Sequence, residues 1–286
     1  MKIKSIFMEF KKDELKKILH LLIYIFALIG FLLTVGFFAI KLGITNTESI
    51  TIDEQREKFI EIGLNTENIE KNALSFKDDA EWEIFKKSII KDTEDIYKAS
   101  MLADVPARLI VAQVAVEQMR LFYTNRDLFK SVFAPLKILG NQSQFSWGVV
   151  GIKQDTAISI ENNLKNKKSL FYPGEKYENL LDFKTEDHDN ERFERIVNDD
   201  NRFYSYLYTA LYLKQIETQW KKSGFDISKN IGVMSTLFNI GFQNSKPNKD
   251  PKIGGAIIEI NGKEYAFGYI AEMFYKSDEL TDYFKK

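Results

Sequence analysis

Glu117 follows a stretch, 109–116, in which every residue but Gln113 is apolar. A carboxyl held at the end of such a stretch is partly removed from water, which disfavours its anion and lets it keep a proton near neutral pH. Where a helix ends at that carboxyl, the negative end of the helix dipole acts in the same direction. The chemistry on offer is general acid and base catalysis by one carboxyl group. The plainer alternative is that Glu117 turns outward, or pairs with Arg120 three positions on. Weaker candidates stand beside it. Asn239 lies in an apolar stretch and needs its amide satisfied, by scaffold or by ligand. Tyr269, with Tyr265 behind it, offers a phenol, although in a chain with 13 Tyr most such rings fill a core or its rim. Asp155 fits an exposed loop or a helix cap better than a second catalytic carboxylate. His188, within Glu186-Asp187-His188-Asp189, invites a metal, but one His in a solvated acidic run falls short of a ligand set. No metal and no cofactor is expected.

Composition narrows the chemistry by exclusion. The chain has 286 residues, enough for one or two domains. It holds no Cys and two His, His20 and His188, so thiolate nucleophiles, disulfides and Cys-rich zinc sites are out. Carboxylates, hydroxyls, amides, phenols and lysines remain. With 40 Lys+Arg against 41 Asp+Glu the formal net charge is -1, which argues against nucleic acid as a partner.

That balance conceals an asymmetry. Residues 18–40 carry no formal charge and are numerous enough, as a helix, to span hydrocarbon roughly 30 Å thick. The run is longer than the apolar part of a signal peptide and ends in Phe37-Phe38-Ala39-Ile40 rather than a small-residue cleavage site, so an uncleaved transmembrane helix is expected. Lys2, Lys4, Lys11, Lys12, Lys16 and Lys17 precede it, whereas the charged residues of 42–54 are the acids Glu48, Asp53 and Glu54. The positive-inside rule then puts the N-terminus in the cytoplasm and everything past Lys41 outside. His20, one turn inside the cytoplasmic end, reaches the headgroups and needs no functional role. Taking the seven basic and three acidic residues of 1–41 from the totals leaves 42–286 with a formal net charge of −5. The expected organisation is a cytoplasmic tail (1–17), a transmembrane helix (18–40), a solvated helical stalk or linker (41–95) and a folded domain (96–286). That domain would lie on the periplasmic or cell-wall side of a cytoplasmic or inner membrane.

Within the domain, Asp104 as N-cap and Pro106 in the first turn predict a helix that runs through the core and ends on Glu117. The glycines of 146–157 bring backbone close to a neighbour. The charge-rich segments 161–168 and 185–200 read as surface loops around a Tyr172-Pro173-Gly174 turn. Apolar and aromatic residues at 203, 206, 207, 210, 211, 213 and 216 form a helical stripe over 201–220, and 231–242 predicts another buried helix. Residues 256–260, Asn261-Gly262 and 263–267 predict a strand, a type I′ turn and a return strand, after which 268–283 is helical again. The predicted class is mainly α with one small β-hairpin, preceded by one transmembrane helix.

The order of these pieces resembles that of the lytic transglycosylase and goose-type lysozyme group of the lysozyme-like superfamily. The stretch 105–117 is similar to the family's helix that ends in its single catalytic glutamate. Ser146-Trp147-Gly148-Val149-Val150-Gly151-Ile152 resembles the Ser-x-Gly-x-x-Gln-Ile loop that lines the glycan cleft, with Thr156-Ala157 echoing its Thr-Ala. Residues 201–213 resemble the helix bearing an Ala/Gly-x-x-Leu pattern, Phe238-Asn239-Ile240-Gly241 the Tyr-Asn-Ala-Gly signature, and Tyr269-Ile270 the late Tyr-Val. Together they cover roughly residues 96–286. The resemblance implies cleavage of the β-1,4 bond between N-acetylmuramic acid and N-acetylglucosamine in peptidoglycan. Glu117 would act first as acid and then as base, and the C6 hydroxyl of the muramic acid would attack to leave a 1,6-anhydro end. It implies substrate contacts from Ser146, Trp147, Gly148, Gly151, Asn239 and Tyr269, with Trp147 stacking on a sugar face. Peptidoglycan strands would be the partner, with cell-envelope machinery as a further one. Three positions depart from the pattern: Gly151 stands for Gln, Gln118 for the usual Ser, and Phe238 for Tyr, and each removes a polar group that lines or supports the cleft. They leave two alternatives, a non-catalytic peptidoglycan-binding or envelope scaffold and a muramidase that uses water.

Overall fold

The computed structural model describes residues 16–17, 19–31, 33–35, 80–123, 150–198, 200–260 and 263–286. They fall in two compact units, one holding the N-terminal residues and the other those from 80 onward. In the first, residues 19–31 and 33–35 are helical and exposed throughout, including the rings of Tyr24, Phe26 and Phe31. Among the described residues no helix is long and apolar enough to cross a membrane; positions 18, 32 and 36–40 of the expected span lie outside them.

The second unit is mainly helical. Its elements are α1 (Ala80–Lys91), α2 (Thr93–Ala103), α3 (Ala107–Tyr123), α4 (Gln154–Lys165), α5 (His188–Val197), α6 (Phe203–Lys222), α7 (Ile231–Ile240), β1 (Ile257–Ile260), β2 (Lys263–Ala266) and α8 (Phe267–Lys276). The strands form an antiparallel hairpin whose register runs from Ile257 opposite Ala266 to Ile260 opposite Lys263. The two turn positions, 261 and 262, lie outside the described residues. Helices α3 and α6 carry the core: Leu109, Ile110, Val111, Ala112 and Val114 of α3, and Tyr206, Tyr208, Leu211 and Ile216 of α6, are all buried. Helix α2 lies along α6, α8 against α3, and α7 against α8.

The close approach of α7 and α8 rests on one residue without a side chain. A Cβ on Gly268 would lie 2.2 Å from Thr236 Oγ1 and 2.4 Å from the Gly232 carbonyl oxygen. Thr236 cannot swing away cheaply, because its hydroxyl donates to the Gly232 carbonyl (2.7 Å) and accepts from the Gly254 amide (2.9 Å). Gly268→Ala is therefore expected to cost about 3 kcal/mol, the upper end for overpacking a tight contact. The urea unfolding midpoint measures this, and an unchanged midpoint would mean that the two helices can part freely.

Several sequence expectations need correction. Asp104 does not cap α3; it closes α2 in the left-handed conformation (φ 55, ψ 52), with its amide on the Ser100 carbonyl. Pro106 stands just before the helix, its carbonyl accepting from the Leu109 and Ile110 amides, and α3 begins at Ala107. Helix α3 also runs six residues beyond Glu117, to Tyr123. The folded domain starts before 96: Trp82, Phe85 and Ile89 of α1 are buried in the core, with Trp82 packed on Phe85 and edge-on to Phe274. Residues 80–91 are thus part of the packed domain rather than a solvated stalk.

Two charged segments expected as loops are helices, α4 and α5. Arg192 of α5 is buried because both its sides are matched: Nε and Nη2 each donate to one carboxylate oxygen of Glu161 at 2.7 Å, and Nη1 donates to Asp189. Arg192 and Arg195 turn inward with their carboxylate partners, while Lys165, Lys167, Lys168, Glu186, Asp187 and Asp189 stay exposed. Finally, α8 ends at Lys276, not near 283, and the tail beyond it packs back on the domain, with Phe284 buried and stacked on Tyr97.

Candidate active site around Glu117

Glu117 is 6% exposed, on a helix whose neighbouring residues Val114, Ala115, Val116 and Met119 are buried with it. Its Oε2 accepts from Arg120 Nη2 at 2.7 Å, the pairing across one turn that the spacing allowed. Because α3 continues to Tyr123, the helix terminus contributes nothing at this carboxyl: the dipole acts within the last turn. Burial and the arginine define its surroundings.

One turn earlier on the same face stands Gln113, fully buried. Its Nε2 donates to the Leu109 carbonyl (3.2 Å) and to the Ser235 hydroxyl of α7 (2.7 Å). Its Oε1 is buried without a hydrogen-bond partner. Ser235 and Asn239 in turn share a face of α7, four residues apart. The Gln113–Ser235 bond therefore joins the face of α3 that carries Glu117 to the face of α7 that carries Asn239.

Asn239 is half-buried, and its Oδ1 accepts from the Ala256 amide at 2.8 Å, on the approach to β1. The preceding Gly255 has φ +98, and a Cβ there would lie 3.0 Å from that Oδ1, so the amide holds a backbone segment that only glycine lets so near. Asn239 thus positions the hairpin. Tyr269 sits in the first turn of α8, half-buried against the core. Tyr265 is buried on β2, opposite Ile258. Among the described residues no hydrogen bond ties Asn239 or Tyr269 to Glu117, although their helices are neighbours through α8.

The remaining candidates divide. Gly151 precedes α4 with φ 63 between the buried Val150 and Ile152, a left-handed conformation that suits glycine and would strain the glutamine of the resembled pattern. Phe238 packs at 4.9 Å on Tyr212, which packs at 4.4 Å on Phe242, so an aromatic cluster occupies the place of the expected phenol. Tyr212 is itself buried, and burial pushes its phenol well above the ordinary range, so it stays protonated. Asp155 is exposed, as expected, but lies within the first turn of α4 and is neither a loop residue nor its N-cap, which is Lys153. His188 opens α5, exposed and stacked on Phe183 with ring centroids 4.4 Å apart. Among the described residues no group of His, Cys, Asp and Glu is placed to hold a metal ion. Ser146, Trp147 and Gly148 lie outside the described residues.

No family model, characterised protein or solved structure matches the chain. Its own residues therefore carry whatever is said of its function.

Sequence reasoning missed one polar cluster entirely. Glu161 receives, besides Arg192, the hydroxyl of the buried Tyr208. Arg195 donates to the carbonyls of Leu181 (3.1 Å) and Asp182 (2.7 Å) and stacks between Phe183 and Tyr204. Burial pushes the Tyr208 phenol far up, and the neighbouring Glu161 carboxylate adds to it. Every charge in this cluster is matched within the protein, which makes it a clamp among α4, α5 and α6. The signal available in sequence was the spacing of Asp189 to Arg192 and of Glu191 to Arg195, three and four residues along one helix.

Proposed function

We propose that the chain is a membrane-anchored peptidoglycan lytic transglycosylase in which Glu117 is the single acid and base. The observation that carries this is a carboxylate almost wholly buried in the central helix of a mainly helical domain, where an ionisable group is costly unless it is paired or put to use. Glu117 delivers a proton to the glycosidic oxygen as the bond to C1 of the muramic acid breaks, then takes the proton of the C6 hydroxyl as that oxygen bonds to C1. Proton and electron pairs balance with one carboxyl group, so no second carboxylate is required. In its ion pair Glu117 accepts through Oε2, so the carboxylate must take up a proton, on Oε1 or after leaving Arg120, before it can serve as the donor.

The test is digestion of purified peptidoglycan by the full chain in a nonionic detergent, with mass spectrometry of the soluble products. Fragments with anhydro ends, absent for Glu117→Gln, support the proposal. Undiminished cleavage by that variant overturns Glu117 as the acid, and reducing ends would mark a muramidase.

A second reading has observations of its own. Asn239 is committed to the hairpin backbone and Glu117 to Arg120, which suits an envelope scaffold that binds peptidoglycan without cutting it. Sedimentation of the chain with peptidoglycan and no soluble product would select it.

We also infer that residues 18–40 cross the membrane with the N-terminus in the cytoplasm, on the strength of the uncharged run and the lysines on one side of it. The chain has no Cys, so single cysteines report on topology without background. In intact spheroplasts a membrane-impermeant maleimide is expected to label Ser49→Cys at once and Ser5→Cys only after lysis. The reverse pattern would invert the orientation, and labelling of both in intact cells would remove the anchor.

A further inference from the structure

A cavity of about 470 Å³ opens beside the C-terminal half of α6, between that helix, the α2–α3 corner and the loop before Tyr177. Lys214, Glu217, Lys221 and Lys222 lie on one face of α6 at helical spacing, and Lys176 and Asp104 face them from the other walls. Four ammonium groups meet two carboxylates here, a local surplus of positive charge in a region, 42–286, that is acidic overall.

The individual contacts show where the surplus is. Lys214 is nearly buried and is held by Glu217 at 3.2 Å, more loosely by Asp104 at 3.5 Å. Burial works against its charge, but Glu217, Tyr177 and Asp104 outweigh that and keep its pKa above the ordinary lysine value. Lys176 stands 3.9 Å from the same Asp104 oxygen. Lys222 donates to the carbonyls of Ser169 and Tyr172, which orient it without cancelling its charge. Lys221 is exposed and forms no ion pair among the described residues. Asp104, a non-glycine residue in the left-handed conformation, thus holds an exposed carboxylate between two ammonium groups at distances longer than a good hydrogen bond.

We propose that this cavity binds a compact polyanion, a ligand carrying two or more carboxylate or phosphate charges, and that the Asp104 carboxylate occupies part of its place when the site is empty. Cavity size suits a small molecule or the charged end of a chain, and nearby positive charges with a low-dielectric wall concentrate anions. The site is separate from Glu117 and does not depend on glycan cleavage.

Calorimetric titration of the full chain in nonionic detergent tests it, with pyrophosphate and tricarballylate as probes and sucrose as the uncharged control. At least one anion is expected to bind saturably with Kd below about 1 mM and to weaken as ionic strength rises. The tighter of the two probes identifies the ligand as phosphate- or carboxylate-bearing. Lys176→Met with Lys221→Met, both exposed and so without effect on the fold by circular dichroism, is expected to weaken binding about tenfold or more, and Asp104→Asn to tighten it several-fold. No saturable binding of either anion, or binding by the double variant equal to that of the unaltered chain, would overturn the proposal, as would weaker binding by Asp104→Asn.

Discussion

Arg108→Met is expected to remove at least about 4 kcal/mol of stability, a large share of the roughly 5 to 15 kcal/mol that holds a folded domain together. Arg108 is fully buried, and each of its five N–H groups has a backbone acceptor. Nε donates to the Tyr275 carbonyl, Nη1 to those of Glu279 and Phe284, and Nη2 to those of Phe274 and Ser277, at 2.8 to 3.0 Å. No carboxylate is needed: Phe274 and Tyr275 belong to the last turn of α8, whose carbonyls carry the negative end of the dipole, and the Phe274 carbonyl accepts from Ser277 as well. The same guanidinium lies 5.0 Å from the Phe274 ring. Burial pulls its pKa below the ordinary arginine value, yet the charge remains. Methionine fills similar volume but takes the guanidinium donors from the carbonyls of Tyr275, Ser277, Glu279 and Phe284, leaving Phe274 its bonds from Ser277, and an unsatisfied buried acceptor costs about 1 to 3 kcal/mol. Lysine keeps the charge but gathers its donors on one nitrogen, which cannot reach five acceptors fanned over 274–284, so Arg108→Lys should recover only a minor part. Urea unfolding of both variants, with limited proteolysis to show release of the C-terminal tail, makes the measurement. A loss under about 1 kcal/mol for Arg108→Met would mean that the tail docks without it.

That arginine also marks the limit of what the residues disclose in one dimension. A stripe of apolar and aromatic residues at helical spacing made α6 legible, an apolar run made α7 legible as a buried helix, and Asn261-Gly262 with alternating neighbours made the hairpin legible. Charge misled wherever its partner lay far off in sequence. Arg192 and Glu161 are 31 positions apart, and nothing in 185–200 says that its arginines turn inward. Arg108 stands among apolar residues of α3 and its acceptors are backbone atoms more than 160 positions away, which have no sequence signature at all. The candidate site was legible to the same extent. Glu117 stood out through the apolar run before it, and the structure does bury it. The end of its helix was placed too early, although Gln118, Met119 and Arg120 are good helix formers with no stop signal among them. Asn239 drew attention as an amide in need of partners, and in the structure its Oδ1 accepts from the backbone at Ala256.

Under the proposed function, Glu117→Gln is expected to slow the release of soluble glycan fragments by a factor of about 10² to 10⁴, the usual worth of a positioned proton donor and acceptor. Glutamine keeps the volume and can still accept from Arg120, whose side chain is partly exposed and can turn to water for what it loses. The fold should therefore keep its stability within about 1 kcal/mol, the difference between a charged and a neutral hydrogen bond. This separation is what makes the substitution informative at a buried position, where Glu117→Ala would open a cavity and strand the guanidinium in one step. Arg120→Gln provides the counterpart: it frees the carboxylate from its ion pair while Glu117 remains, so it should retain most of the rate that Glu117→Gln loses. If the two variants lost activity in equal measure together with stability, the pair would be a strut of α3 and the acid would have to be sought elsewhere. If neither they nor the unaltered chain released fragments while all three bound peptidoglycan, the buried carboxylate would serve a scaffold.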